Sequence, residues 1–281
     1  MKTGLVLEGG AKRGIYTAGV LDVFLENGIT ADCVIGVSAG AIHGCSYVSG
    51  QKERSIRYNI KYCNDKRFMS LYSLFTTGDL VGVKFCYHDL PEKLDPFDNE
   101  AFEASPMKFY VVCSNLETGK PEYIHCDNLR DKMDYLRASA SLPFLSRIVE
   151  TGGKKFLDGG ITDSIPLRAS INLGCRKNIV VLTRPEGYRK KPAHNGWLAG
   201  LVYHRYPKFA EAIRQRSSMY NQELDFVSEM EKTGTALVLR PSKTVRIGKM
   251  EQNPQIVREM YDLGRYDALN NLQRIKAYLN D

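Results

Sequence analysis

Apolar and polar positions follow two different periods along the chain. Short apolar runs occur at Gly4–Glu8, Cys33–Val37, Phe109–Ser114, Lys155–Asp158, Ile179–Thr183 and Ala236–Arg240, most of them rich in Val, Ile or Leu. Runs of this length and composition predict strands buried on both faces. Between them the pattern predicts helices over Lys12–Glu26, closed by Asn27-Gly28, and over Ala39–Tyr47, Lys52–Cys63 and Leu129–Ser139. In the last third, Phe209, Ile213, Tyr220, Leu224 and Val227 recur at helical spacing, as do Val257, Met260, Ala268, Ile275 and Leu279. Two long helices are expected there, the second opening on Asn253-Pro254, a cap followed by proline at the first helical position. Strands alternating with helices predict an α/β fold, a three-layer α/β/α sandwich on a mainly parallel central sheet with a helical C-terminal extension. Residues 1–185 read as the core. Residues 186–281 read as a basic, helix-rich region completing or capping the same domain, reached through the polar connection Gly187–Gly196.

Composition changes this picture in two places. The 281 residues, 43% hydrophobic and 25% charged, suffice for one large domain with a substantial core. Net charge is +7, and 17 basic residues face 11 acidic ones from Arg184 to Asp281, so the excess sits in the last third. On composition alone that surface fits phosphate headgroups, an anionic membrane, nucleic acid or plain solvation. Seven cysteines, at 33, 45, 63, 86, 113, 126 and 175, form no CxxC pair. They read as reduced, buried thiols of a cytoplasmic protein, with neither a disulfide framework nor a metal site. No secretory leader precedes the first strand pattern, and the longest uncharged stretch, Cys33–Gln51, carries four glycines, three serines and a histidine. It is read as strand, turn and helix, not as a transmembrane segment.

Two turns carry candidate chemistry. After the first strand, Gly9-Gly10-Ala11-Lys12-Arg13-Gly14 is either a phosphate cradle or a row of N–H donors for an oxyanion. After the second, Gly36-Val37-Ser38-Ala39-Gly40 is a G-x-S-x-G nucleophile elbow, a turn tight enough to demand glycine on its flanks and to expose the serine hydroxyl. A serine nucleophile needs a base. His43 shares the helix that follows Ser38 and points away from it, while His88, His125, His194 and His204 have no motif around them. The stronger candidate is Asp158, delivered at the end of an apolar run and followed by Gly159-Gly160. Its plainer reading is an Asp-Gly turn. A nucleotide-binding fold remains as a rival for the first loop. Its glycines, at 9, 10 and 14, match neither G-x-G-x-x-G nor G-x-x-x-x-G-K-[ST], and the second strand ends in Ser38 instead of an acidic ribose ligand.

With these blocks in this order, and with Ala138-Ser139-Ala140-Ser141-Leu142-Pro143-Phe144 before Asp158 and Pro166 eight residues after it, the chain resembles the patatin-like phospholipases over roughly residues 1–185. The resemblance implies an acyl hydrolase with a Ser38–Asp158 dyad, no metal and no cofactor. Backbone N–H groups of the Gly9–Gly14 loop, Gly10 and Ala11 among them, would hold the oxyanion, with Arg13 either adding charge or facing solvent. It implies a lipid ester substrate and peripheral contact with an anionic membrane, at its inner surface in a cytoplasmic protein, and no nucleic acid. Acyl transfer on the same dyad and a non-catalytic lipid-binding protein remain open alternatives. Phe68–Phe75 and Val81–Phe85 are candidates for an acyl channel, a bilayer contact or plain core. The one departure is Ala11, where the family usually has a third glycine. Alanine can still donate its N–H there provided its φ is not strongly left-handed. Oligomeric state is not legible, and no role carries over to the final hundred residues.

Overall fold

The computed structural model describes residues 1–192 and 196–280. Eight strands form one sheet: β1 (Thr3–Leu7), β2 (Cys33–Val37), β3 (Lys108–Asn115), β4 (Pro121–Cys126), β5 (Val149–Thr151), β6 (Lys154–Asp158), β7 (Lys177–Val181) and β8 (Ala236–Leu239). Their order is β5-β6-β3-β2-β1-β7-β8, with β4 paired to β3. The pairings from β3 through β2, β1 and β7 to β8 are parallel, whereas β4, β5 and β6 pair antiparallel. The sheet is therefore mainly parallel with an antiparallel margin. Sequence pattern missed β4 and β5: β4 is partly exposed and has no continuous apolar run, and β5 is only three residues long.

The helices are α1 (Ile15–Glu26), α2 (Ala39–Val48), α3 (Arg54–Lys61), α4 (Leu71–Thr77), α5 (Asn99–Ala104), α6 (Leu129–Ser139), α7 (Leu167–Asn172), α8 (Gly196–Val202), α9 (Pro207–Lys232), α10 (Pro254–Asn270) and α11 (Leu272–Asn280). A π-helical segment spans Phe85–Leu94. The continuous helix expected from Val257 to Leu279 is broken at Asn271, whose side-chain amide donates to the Asp267 carbonyl and closes α10.

Strand side chains alternate between two apolar layers, because successive residues of a strand point to opposite faces. Leu5, Leu7, Val34, Ile179, Val181, Leu237 and Leu239 pack into the larger core with α1, α2 and α10. Their neighbours Val6, Val180 and Val238 pack with Tyr220 and Val227 of α9 on the other side. Covering both faces is what made these strands read as unbroken apolar runs. The last third is built into this arrangement: β8 extends the sheet beside β7, and α10 lies against α1 through the Tyr261–Asp22 hydrogen bond.

The register positions the chemistry. Val37 of β2 lies opposite Val112 of β3, and the adjacent Cys113 lies opposite Asp158 of β6. The residue after Val37 and the last residue of β6 therefore emerge at one level, on either side of β3. That level is the carboxyl end of the parallel strands, where α/β sheets open their ligand crevice.

Candidate active site

Ser38 occupies the turn between β2 and α2 with φ 54° and ψ −121°, outside the usual regions for a residue with a side chain. Such a backbone costs on the order of 1–3 kcal/mol and persists only where its surroundings enforce it. Here they do. Gly36 and Val37 are buried at the end of β2, Ala39 packs on Gly14, and a Cβ on Gly40 would stand 2.4 Å from the Leu7 carbonyl oxygen. The Ser38 N–H donates to Ser139 Oγ at 2.9 Å, and the Ser139 hydroxyl donates to the Val112 carbonyl at 2.6 Å. The Ala138–Phe144 run is thus a brace between the elbow and β3.

The Ser38 hydroxyl donates to Asp158 Oδ2 at 2.9 Å, and Asp158 Oδ1 accepts the Gly160 N–H at 2.8 Å. Asp158 is held from its backbone as well, its N–H donating to the Ser141 carbonyl and its carbonyl accepting the Ser114 hydroxyl. Gly159 allows this approach, since a Cβ there would lie 2.1 Å from the Val112 carbonyl oxygen. Gly160 in turn presents its carbonyl to Ser164 Oγ and to Arg216 Nε, both at 2.8 Å. Asp158 is only 1% exposed. Burial raises its pKa above the ordinary carboxylate value, against the opposing pull of the Arg216 charge, the Ser38 hydrogen bond and the Gly160 N–H.

Gly9, Gly10 and Ala11 line the same cavity as Ser38 and Asp158. The Gly9 N–H goes to the Ser164 carbonyl and the Arg13 N–H to the Gly10 carbonyl, whereas the Gly10 and Ala11 N–H groups have no protein acceptor among the described residues. Ala11 sits at φ 49°, in the left-handed region that favours glycine. The chain turns there from β1 into a 3-10 turn over Ala11–Gly14, and alanine meets that requirement at a cost of about 1 kcal/mol relative to glycine. Lys12 and Arg13 point to different places. Lys12 is buried, donating to Asn59 Oδ1 at 2.7 Å, its ammonium 4.5 Å from the Phe68 ring centre and its pKa lowered by burial to about 8. Arg13 lines the Ser38 cavity, and its buried Nε has no hydrogen-bond partner among the described residues.

Among the described residues no histidine bonds to Ser38. His43 is buried beside Ser55, with burial lowering its pKa to about 3. His88 pairs with Glu92, His125 stacks on Tyr110, and exposed His204 lies near the Leu201 carbonyl. His194 lies outside the described residues.

Two cavities meet at Ser38, and both are lined by Ala11 and Leu142. One is walled by apolar side chains including Ile15, Ile42, Phe68, Met133 and Leu136. Phe68, Met69 and Val81, from the two stretches considered as channel lining, are on its wall, whereas Phe85 is core and Leu71, Tyr72 and Phe75 are exposed. The other cavity is polar, with Glu8, Arg13, Arg184, Lys190 and Arg216 on its wall. Glu8 is buried there, accepting from the Thr183 N–H and the Tyr220 hydroxyl. Sequence reasoning missed Glu8, Ser114, Ser164, Lys190 and Arg216, since none lies in a motif.

A family profile described as patatin-like phospholipase matches residues 5–171, and one described as a domain of unknown function (DUF6363) matches residues 206–280. The protein YjjU of Escherichia coli, named as uncharacterized, is 29% identical over 64% of this chain and 52% of its own length. Lysophospholipase NTE1 of Saccharomyces cerevisiae is 28% identical over 74% of this chain and 12% of its own. The chain thus spans about half of the first relative and a small part of the second. Among solved structures, VipD from Legionella pneumophila matches with a TM-score of 0.47 and 14% identity, over 99% of this chain and 67% of that one.

Proposed function

Because the chain belongs to the patatin-like phospholipase family, we propose that it is a serine acyl hydrolase that cleaves lipid carboxylic esters through Ser38 and Asp158. The observation that carries this reading is the 2.9 Å bond from the Ser38 hydroxyl to a buried carboxylate, made where an apolar cavity opens. The lysophospholipase name of the yeast relative supports a monoacyl lipid as substrate.

In this reading the acyl chain occupies the apolar cavity and the alcohol portion lies in the polar one. Ser38 Oγ attacks the ester carbonyl carbon while its proton passes to Asp158 Oδ2. The oxyanion forms against the free N–H groups of Gly10 and Ala11, each such donor contributing about 3 kcal/mol to the transition state. Collapse breaks the carbon–oxygen bond, and the departing alkoxide takes the proton from Asp158. Water then attacks the acyl-enzyme, again losing its proton to Asp158, and collapse breaks the bond to Ser38 Oγ, which takes that proton back and releases a fatty acid. Burial of Asp158 serves this chemistry, since a raised pKa makes its carboxylate a stronger base.

The base works only as a carboxylate, so kcat is expected to rise with pH through a limb above the ordinary carboxylate range. Arg216 holds that pKa down, and Arg216→Gln is expected to move the limb to higher pH. A pH profile on a water-soluble 4-nitrophenyl ester reads both, and an unshifted limb would remove Asp158 from the role.

Fatty-acid release from monoacyl lipids of graded chain length tests the proposal as a whole. Wild type is expected to favour long chains, and Met133→Trp, which fills the apolar cavity, to lower long-chain kcat/KM about tenfold or more while sparing short chains. No fatty acid released from any chain length would overturn it. Label appearing in an added alcohol instead of in free fatty acid would make the same dyad an acyltransferase.

A membrane-facing rim fits this substrate. Leu71, Tyr72 and Phe75 of α4 and Trp197, Leu201 and Val202 of α8 are exposed. The residues just after both helices bond to the segment that follows Leu142, a residue lining both cavities: the Leu80 N–H donates to the Leu145 carbonyl and the Tyr203 hydroxyl accepts the Phe144 N–H. Among the described residues no helix is long and apolar enough to cross a membrane. Cosedimentation with anionic vesicles is expected at low salt and is expected to weaken in a Phe75→Glu, Trp197→Glu double variant. Absence of binding at low salt would contradict peripheral contact.

A further inference from the structure

The polar cavity beside Ser38 has more positive charge than the dyad requires. Arg13, Arg184, Lys190, Arg216 and Lys249 line it, facing two carboxylates, Glu8 and Asp158. Both carboxylates are engaged elsewhere: Glu8 by Tyr220 and Thr183, Asp158 by Ser38 and Gly160. Several arginines elsewhere are paired, Arg57 with Asp95, Arg240 with Glu231 and Arg265 with Glu26. None of the five cavity cations forms an ion pair among the described residues, and the buried Nε of Arg13 makes no hydrogen bond. Burial, joined by the neighbouring charges of Arg216, Arg13 and Lys249 and only partly offset by Glu8, lowers the Lys190 pKa to about 7, so this ammonium is only partly compensated as it stands.

An arrangement of converging, unpaired cations is unfavourable unless an anion enters it. Guanidinium forks and an ammonium match phosphate oxygens, and they gain strength in a site walled from water. The same cavity is badly suited to a quaternary ammonium. Such a group binds on aromatic faces, and the two aromatic rings lining this cavity are already covered, Tyr220 by Lys190 at 4.2 Å and Tyr188 by Arg184 at 4.3 Å. The cavity shares Ser38 with the acyl channel, so whatever it holds is attached to, or beside, the alcohol side of the ester.

We infer that this cavity is a headgroup site for a phosphate monoester, and that the preferred substrate is an acyl ester of a phosphorylated alcohol in place of a phosphocholine lipid. The inference rests on Ser38 being the nucleophile. It assigns Arg184, Lys190 and Lys249, from the last third of the chain, to headgroup selection.

The test compares 1-acyl-glycerol 3-phosphate with the phosphocholine lipid of the same chain, in phosphate-free buffer. Wild type is expected to show about tenfold or higher kcat/KM on the phosphate monoester, and the ratio is expected to fall close to one in Arg184→Gln, Lys190→Gln. Lys190→Arg alone is expected to keep the preference, which separates charge selection from a folding defect. Glycerol 3-phosphate is expected to inhibit turnover of a neutral 4-nitrophenyl ester more strongly than glycerophosphocholine does. Equal kcat/KM on the two lipids would overturn the inference. If inorganic phosphate still inhibited in that case, the cavity would bind free phosphate and not a headgroup. Failure of the neutral ester to react at all would instead overturn the role of Ser38, which keeps the two readings distinguishable.

Discussion

Ser38→Ala is expected to lower kcat on any ester by about 10⁴-fold or more, leaving only what binding and the oxyanion donors contribute. The elbow is rigid by construction, and alanine fits the same backbone turn, so the fold is expected to survive. The substitution deletes one hydrogen bond, from the hydroxyl to Asp158 Oδ2, while Gly160 still donates to Oδ1. A stability change within about 1–2 kcal/mol follows. Activity and thermal midpoint measured on one preparation separate the two effects. A variant that keeps more than a small fraction of wild-type kcat would place the nucleophile elsewhere.

Asp158→Asn is expected to act in opposite directions on activity and stability. Turnover falls by about 10³–10⁴-fold, because the amide cannot take the Ser38 proton. Stability at neutral pH is expected to rise. A carboxyl whose folded pKa lies above its unfolded value binds more protons folded than unfolded across that window. Stability therefore falls as pH rises through the window, and the deficit persists above it. Asp158 is such a group, buried with its pKa raised. The introduced amide has no charge to desolvate, its oxygen can keep the Gly160 N–H, and its NH₂ can donate to Ser38 Oγ. The variant is expected to melt higher than wild type near pH 7, with the gap narrowing as pH falls toward the ordinary carboxylate range. A lower midpoint at every pH would mean that Asp158 is mainly a structural anchor for the β6 turn.

The residues legible in sequence are those whose chemistry is local. Gly36, Ser38 and Gly40 announce themselves because a strand-to-helix reversal within a few residues forces glycine beside the serine. Asp158 is legible because the apolar pair Phe156-Leu157 ends in a carboxylate followed by two glycines. What was not legible depends on side chains meeting across the fold. The period of α9 marks Tyr220 as inward-facing, yet nothing local says that its hydroxyl meets Glu8, or that Arg216 one turn earlier reaches the Gly160 carbonyl. Lys190 and Lys249 read as solvated lysines, and only the docking of the last third against β7 and α1 brings them to the cavity wall. Ala11 shows the limit in the other direction. Residue type argued against left-handed backbone, and the turn out of β1 imposed it.

The central claim, that Ser38 is the nucleophile activated by Asp158, is tested most directly by mapping a covalent adduct. Wild-type protein treated with a small fluorophosphonate and digested is expected to carry one adduct, on Ser38. The adduct is expected to be absent from Ser38→Ala and to form much more slowly in Asp158→Asn. An adduct on another residue, or undiminished labelling of Ser38→Ala, would contradict the account.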